Sequence, residues 1–127
     1  MARKPVVSNA LLTLMRGRHH HAWTLENLHA GLAERSVAAD FSSVFRAAEK
    51  LAASGAIRKL TLEDGRARFE EVDAHHDHLH CTKCGELVAV PCLFGAGYLA
   101  ALERDAGIAI LDHHLVLSGI CRDCHAT

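Results

Sequence analysis

Ten consecutive positions hold four histidines, one aspartate and a Cys-x-x-Cys pair: His75-His76-Asp77-His78-Leu79-His80-Cys81-Thr82-Lys83-Cys84. An ordinary core or surface has no need of that mixture. Imidazole, carboxylate and thiolate are the side chains that bind borderline metals such as zinc, iron and manganese. The chain carries a second pair near its end, Cys121-Arg122-Asp123-Cys124. Cys81, Cys84, Cys121 and Cys124 together supply four thiolates, the donor set of a closed tetrahedral structural zinc site. The histidines are then surplus, which points to a second metal site with another task.

Composition sets the frame for this chemistry. Half of the 127 residues are apolar and few are aromatic, so Leu, Ala and Val must fill the interior. No apolar run approaches the length of a membrane span. Met1-Ala2-Arg3-Lys4-Pro5 has basic residues but no apolar stretch behind them, so no signal peptide is read. A cytoplasmic, reducing location follows, in which thiols ligate metal rather than pair as disulfides. Charge is uneven. Residues 1–72 carry eleven Lys/Arg against eight Asp/Glu, and residues 73–127 carry three against seven. A basic front half suits nucleic acid, and an acidic, His/Cys-rich back half suits metal.

The elements that must position these residues can be read in order. Asn9–Arg16 reads as a short helix with Leu11, Leu12, Leu14 and Met15 on its apolar side. Thr24 can cap a second helix through Leu25, Leu28 and Leu32, with Glu26 near its positive end. Asp40 or Ser42 can cap a third, with Phe41, Val44, Phe45, Ala48, Leu51 and Ala52 as its apolar stripe and Gly55 at its end. Two strands, Ile57–Leu62 and Ala67–Val72, flank Asp64-Gly65, a strong hairpin signal. Three helices then a hairpin is the order of a winged helix-turn-helix, whose third helix enters the major groove. Beyond the metal stretch, Glu86–Val90 reads as a strand stopped by Pro91. Leu93–Ala106 reads as a helix ended by Gly107, and Ile108–Leu111 and Leu115–Ile120 read as strands. The expected class is α+β: a winged-helix domain, residues 1–73, then a small α/β dimerisation domain, residues 74–127, with a structural zinc. So small a second core needs zinc and a partner subunit for stability.

His75-His76-Asp77-His78-x-x-Cys81-x-x-Cys84-Gly85, with His113 eight residues before Cys121-x-x-Cys124, resembles the ferric uptake regulator (Fur) family. Ser43-Val44-Phe45-Arg46 is similar to that family's Thr-Val-Tyr-Arg in the recognition helix. The family contains sensors of iron, zinc, manganese, nickel and peroxide. The resemblance implies a homodimeric, metal-responsive repressor that binds a double-stranded DNA operator. It assigns Cys81, Cys84, Cys121 and Cys124 to structural zinc. It assigns His76 and His78 to a sensing site with a histidine before the second helix, His21 (His20 being the alternative). An acid from the end of the wing completes that site, Glu70, with Glu71 and Asp73 close by. His75, Asp77 and His113 would form a further site in the dimerisation domain. In an extended segment neighbours face opposite ways, so 76/78 and 75/77 serve different sites.

On the same resemblance, Arg46 would hold phosphate, Ser42, Ser43 and Phe45 would meet base edges or thymine methyls, and Arg66 and Lys59 would add phosphate contacts. The chain departs from the family where acids are usual, at Ala89 and Ala96. A four-ligand sensing site then suits Zn2+ better than Fe2+ or Mn2+. The usual first helix is reduced, with only Arg3 and Lys4 to replace its basic contact. Cys92 reads as a small core residue, with a replacement ligand or a redox-sensitive thiol as the alternatives, and His80, His114, His29 and His125 read as surface or supporting residues. Other readings are a peroxide sensor of the same family, which the missing acid at Ala89 argues against, and a zinc-stabilised module without sensing. A zinc enzyme would need an open metal position and a nearby base, and no hydrolase or deaminase pattern is present.

Overall fold

Thr24 begins the second helix as the sequence suggests. Its hydroxyl accepts the N–H of Asn27 at 3.0 Å, and the Asn27 side chain accepts the N–H of Thr24 at 3.1 Å, a reciprocal cap. The computed structural model describes residues 4–17, 22–72, 75–92 and 94–125. It divides into two compact units, Met1–Asp73 and Ala74–Thr127.

The first unit contains α1 (Lys4–Arg16), α2 (Leu25–Glu34), α3 (Phe41–Ser54), β1 (Ile57–Thr61) and β2 (Ala67–Glu71). Helix α1 starts five residues earlier than expected, at Lys4 rather than Asn9. Pro5 is compatible with this because the first turn of a helix has no partner for that N–H in any case. The extension adds Val7 to the buried stripe of Leu11, Leu14 and Met15. Helix α3 is capped by Asp40, whose carboxylate accepts the N–H of Ser43 at 2.7 Å, and ends at Gly55 with φ +83°, where a side chain would be strained. Strands β1 and β2 pair antiparallel, with Lys59 opposite Phe69. Trp23 bridges to Phe69, so the segment entering α2 is tied to the wing. The core is one cluster in which Leu11, Leu28, Val44, Ala48 and Phe69 are fully buried.

Two residues assigned to the buried stripe of α3 lie elsewhere. Phe41 and Phe45 are 45% and 44% exposed, while Val44, Ala47 and Ala48 form the buried face. With Phe at i and i+4, the third helix presents two rings to solvent, alongside exposed Ser42 and Arg46.

The second unit contains β3 (His76–Cys81), β4 (Leu87–Pro91), α4 (Ala96–Ala106), β5 (Val116–Gly119) and α5 (Arg122–His125). Strand β3 is central, antiparallel to β4 and parallel to β5. Pro91 does not stop β4. It is the last strand residue, opposite His76, on an edge strand that can omit a donor there. Helix α4 starts at Ala96 rather than Leu93. Ile108–Leu111 is not a strand: it pairs with no neighbour among the described residues, and without a ladder an extended apolar run is only a loop. That loop is held by Ile110, whose N–H donates to Glu103 on α4 at 2.8 Å. The short α5, which carries Cys124, has no counterpart among the expected elements.

Candidate metal centre

Strand β3 distributes the chemistry. Alternation places His76, His78 and His80 on one face and Asp77, Leu79 and Cys81 on the other. Cys81 and Asp77 are therefore on the same side, four residues and roughly 13 Å apart along the strand.

At the Cys81 end the four expected thiols come together, with every sulfur within 4.8 Å of the others. The Sγ atoms of Cys84 and Cys121 are 3.8 Å apart. A tetrahedron with Zn–S bonds of ~2.3 Å has edges of ~3.8 Å, so the donor set fits a four-thiolate zinc. Two turns build the site. Gly85, at φ +82°, reverses the chain after Cys84 and donates to the Cys81 carbonyl at 2.9 Å. Helix α5 turns the second pair inward, with His125 donating to the Cys121 carbonyl at 2.8 Å. The backbone N–H groups of Cys84 and Cys121 donate to the Cys81 sulfur at 3.5 and 3.3 Å. These two bonds, Cys84 first, lower the Cys81 thiol from 9.0 to about 6. Its neighbours have the opposite effect on Cys124. The Cys121 side chain first, then burial, push it up to about 12.

At the Asp77 end a second cluster forms from His75, Asp77, Cys92 and His113, again with donor atoms within 4.8 Å of one another. The Nε2 atoms of His75 and His113 are 2.9 Å apart, and each is 3.7 Å from Asp77 Oδ1. Cys92 Sγ is 3.5 Å from His113 Nε2. Asp77 is fully buried and held by the N–H of Leu115 at 3.2 Å, which orients its carboxylate. The Phe94 ring meets His113 edge-on, with centroids 5.4 Å apart. Cys92 is exposed and is not the core residue expected of it. Sequence spacing could not pair it with His113, 21 residues away.

On the other face of β3, the rings of His76 and His78 lie 4.7 Å apart. His114 approaches them, with Nε2 3.0 Å from His78 Nδ1. Expected as a surface or supporting residue, His114 takes a supporting place beside His78. His80, of which the same was expected, is buried at 3% exposure opposite Leu87. Glu70 lies on β2 of the first unit and is 1% exposed. His21 lies outside the described residues, as do Arg3 and Asp73, and of Lys4 only the backbone is described. Ala89 sits directly across from His78 on β4 and Ala96 opens α4, so neither contributes a ligand atom.

In the first unit, Lys59 pairs with Glu49 at 2.6 Å and Arg66 with Glu26 at 3.2 Å. Such exposed pairs are worth ~0–1 kcal/mol, so either cation can exchange its carboxylate for a phosphate at little cost. No helix among the described residues is long and apolar enough to cross a membrane.

A winged helix followed by a small sheet rimmed with cysteine and histidine clusters defines a class of metal-responsive transcriptional regulators. The Ferric uptake regulator family model matches residues 7–118, and the chain belongs to that family. It is 28% identical over 121 residues to the ferric uptake regulation protein of Neisseria meningitidis, covering 91% of this chain and 81% of that protein. It is 30% identical over 115 residues to that of Legionella pneumophila, covering 90% and 84%. Among solved structures, the Vibrio cholerae ferric uptake regulator superposes with a TM-score of 0.82 at 21% identity, over 91% of this chain and 89% of that one.

Proposed function

We propose that this chain is a cytoplasmic, homodimeric repressor that binds operator DNA when a metal ion, zinc in preference to iron or manganese, occupies its sensing site. The observation that carries the reading is β3, a single strand contributing ligands to both metal clusters of the second unit while a winged helix precedes it. The structural zinc belongs at Cys81, Cys84, Cys121 and Cys124. The sensing set is His76 and His78 with Glu70 and His21, a set drawn in sequence from both sides of the boundary at residues 73–74. His75, Asp77 and His113 belong to the further site.

Zinc is favoured by donor chemistry. Ala89 and Ala96 offer no oxygen, whereas His114 and Cys92 bring nitrogen and sulfur against His78 and His113. Nitrogen- and sulfur-rich sets of four suit zinc, and iron(II) or manganese prefers more oxygen and higher coordination. The outward face of α3 supports DNA reading. Phe45, Ser42 and Ser43 would meet base edges, and Arg46, Lys59 and Arg66 the phosphates.

Self-association has its own support. Leu79, Val88 and Leu117 are neighbours on one sheet face and each is about 40% exposed. Helix α4 buries no residue within the chain, although Tyr98 and Leu102 are large and apolar. An isolated helix of this length is marginal in water, so a second copy covering α4 and the sheet face is the natural completion.

The mechanism is a population shift. Ligands contributed by both units bias the dimer toward the arrangement in which two α3 helices match half-sites about one helical turn apart. The test replaces His76 and His78 together with alanine and measures operator affinity with and without zinc. Loss of the metal dependence is expected. Full metal dependence in the double variant would overturn the assignment. A chain that takes up one tight metal and no other would be a zinc-stabilised DNA-binding module.

A further inference from the structure

We propose that Cys92 is a metal ligand, and that His75, Asp77, Cys92 and His113 form a complete four-coordinate site of two imidazoles, one carboxylate and one thiolate, selective for zinc-type cations. This deepens the metal-sensing reading by giving the further site its fourth donor, but it depends only on the second unit's own side chains.

Geometry carries the inference. With bonds of ~2.05 Å to nitrogen or oxygen and ~2.3 Å to sulfur, a tetrahedral ion has N–S edges of ~3.5 Å and N–O edges of ~3.3 Å. The observed Cys92–His113 separation is 3.5 Å, and the two His–Asp77 separations are 3.7 Å. The two imidazole nitrogens, 2.9 Å apart, need to part by a few tenths of an ångström. The buried carboxylate is already oriented by the Leu115 N–H, and the Phe94 ring covers one side of His113. A thiolate in this position disfavours manganese and magnesium, which take oxygen ligands.

The four donors come from three separate segments. His75 and Asp77 are at the start of β3, Cys92 is in the loop that leads to α4, and His113 is in the loop that leads to β5. An ion shared by them ties the approach to α4, an element with no buried residue of its own, onto the sheet. On binding, the Cys92 thiol gives its proton to solvent and the sulfur–metal bond replaces the S–H.

The test uses the full-length protein with its structural zinc retained, stripped of labile metal by mild chelation and titrated with Co2+, with zinc content followed by native mass spectrometry. The wild type is expected to develop a near-ultraviolet thiolate-to-cobalt charge-transfer band that saturates at one thiolate-ligated cobalt per chain, without loss of the structural zinc. Cys92→Ser should lose that band and weaken cobalt at this site by more than the 10–100-fold typical of losing an outer-shell partner. His113→Ala should weaken the same band while leaving Cys92 in place. A Cys92→Ser spectrum identical to wild type would overturn the proposal. Alkylation gives an independent readout. Added zinc should protect Cys92 from iodoacetamide in the wild type, and equal rates with and without zinc would also overturn the proposal. Operator binding that ignores metal would refute the reading under the previous heading yet leave the thiolate band unchanged, so the two can fail separately.

Discussion

The backbone N–H of Cys121 donates to the sulfur of Cys81 at 3.3 Å, joining two cysteine pairs that are 40 residues apart in sequence. Together with the Cys84 N–H, which has the larger effect, this bond favours the Cys81 thiolate. Cys81 lies lowered at about 6 while Cys124 is pushed up to about 12. The folded value for Cys81 is depressed, so its thiolate is available above about pH 6 and is lost as pH falls through that value. The expected outcome is a zinc affinity that declines on acidification throughout, with a slope that steepens by one proton per zinc below about pH 6. Competition against a chromophoric chelator between about pH 5 and 8 reads that slope. An unbroken line would show that Cys81 is not pre-ionised.

Stripping the structural zinc should unfold the second unit and spare the first. Among the described residues, α4, β5 and α5 bury nothing, while the first unit has a continuous core around Phe69 and Leu11. A structural zinc contributes on the order of 10–16 kcal/mol in small domains, which this sheet cannot replace. After strong chelation, limited proteolysis should leave a fragment ending near residue 72. Equal survival of both halves would contradict this.

Thr24→Ala removes the reciprocal cap of α2 at its hydroxyl side. A loss of ~1 kcal/mol is expected, a fall in melting temperature of roughly 4–8 °C for a unit of this size. Differential scanning calorimetry checks it, and the metal sites, which use none of these atoms, should keep their stoichiometry.

Phe45→Ala should change stability by no more than ~0.5 kcal/mol, because the ring is 44% exposed. Specific operator binding should nevertheless fall by ~1–3 kcal/mol if, as proposed, the ring meets a base. Arg46→Ala should instead weaken binding to all sequences and reduce the salt slope by about 1, the signature of a phosphate contact. Fluorescence anisotropy over a salt series separates the two. If Phe45→Ala leaves operator preference unchanged, the ring does not read bases.

Much of this was legible because it is local. A Cys-x-x-Cys pair is a single turn, and its ligand spacing holds wherever the turn sits. The caps at Thr24 and Asp40, the stop at Gly55 and the turn at Asp64-Gly65 likewise depend on a few neighbouring residues. Alternation along β3 separates His76 and His78 from Asp77 without any knowledge of the sheet. Periodicity could not say which side of α3 faces the core, because Val44 and Phe45 are adjacent and both apolar. The packing of α1 and α2 against Val44, Ala47 and Ala48 decided it, leaving Phe41 and Phe45 outside.

Sequence by itself determined which residue types could bind metal and that those of the His75–Cys81 stretch would alternate between two faces, since donor chemistry and short-range backbone preference belong to the residues and their nearest neighbours. Only the tertiary structure decided that Cys92 stands beside His113 rather than in a core, that His114 meets His78, and that Ile108–Leu111 remains a loop. Each of those outcomes depends on strand pairing between distant segments. Pairing is settled by the burial and hydrogen bonding of the whole sheet, which no single stretch of the chain encodes.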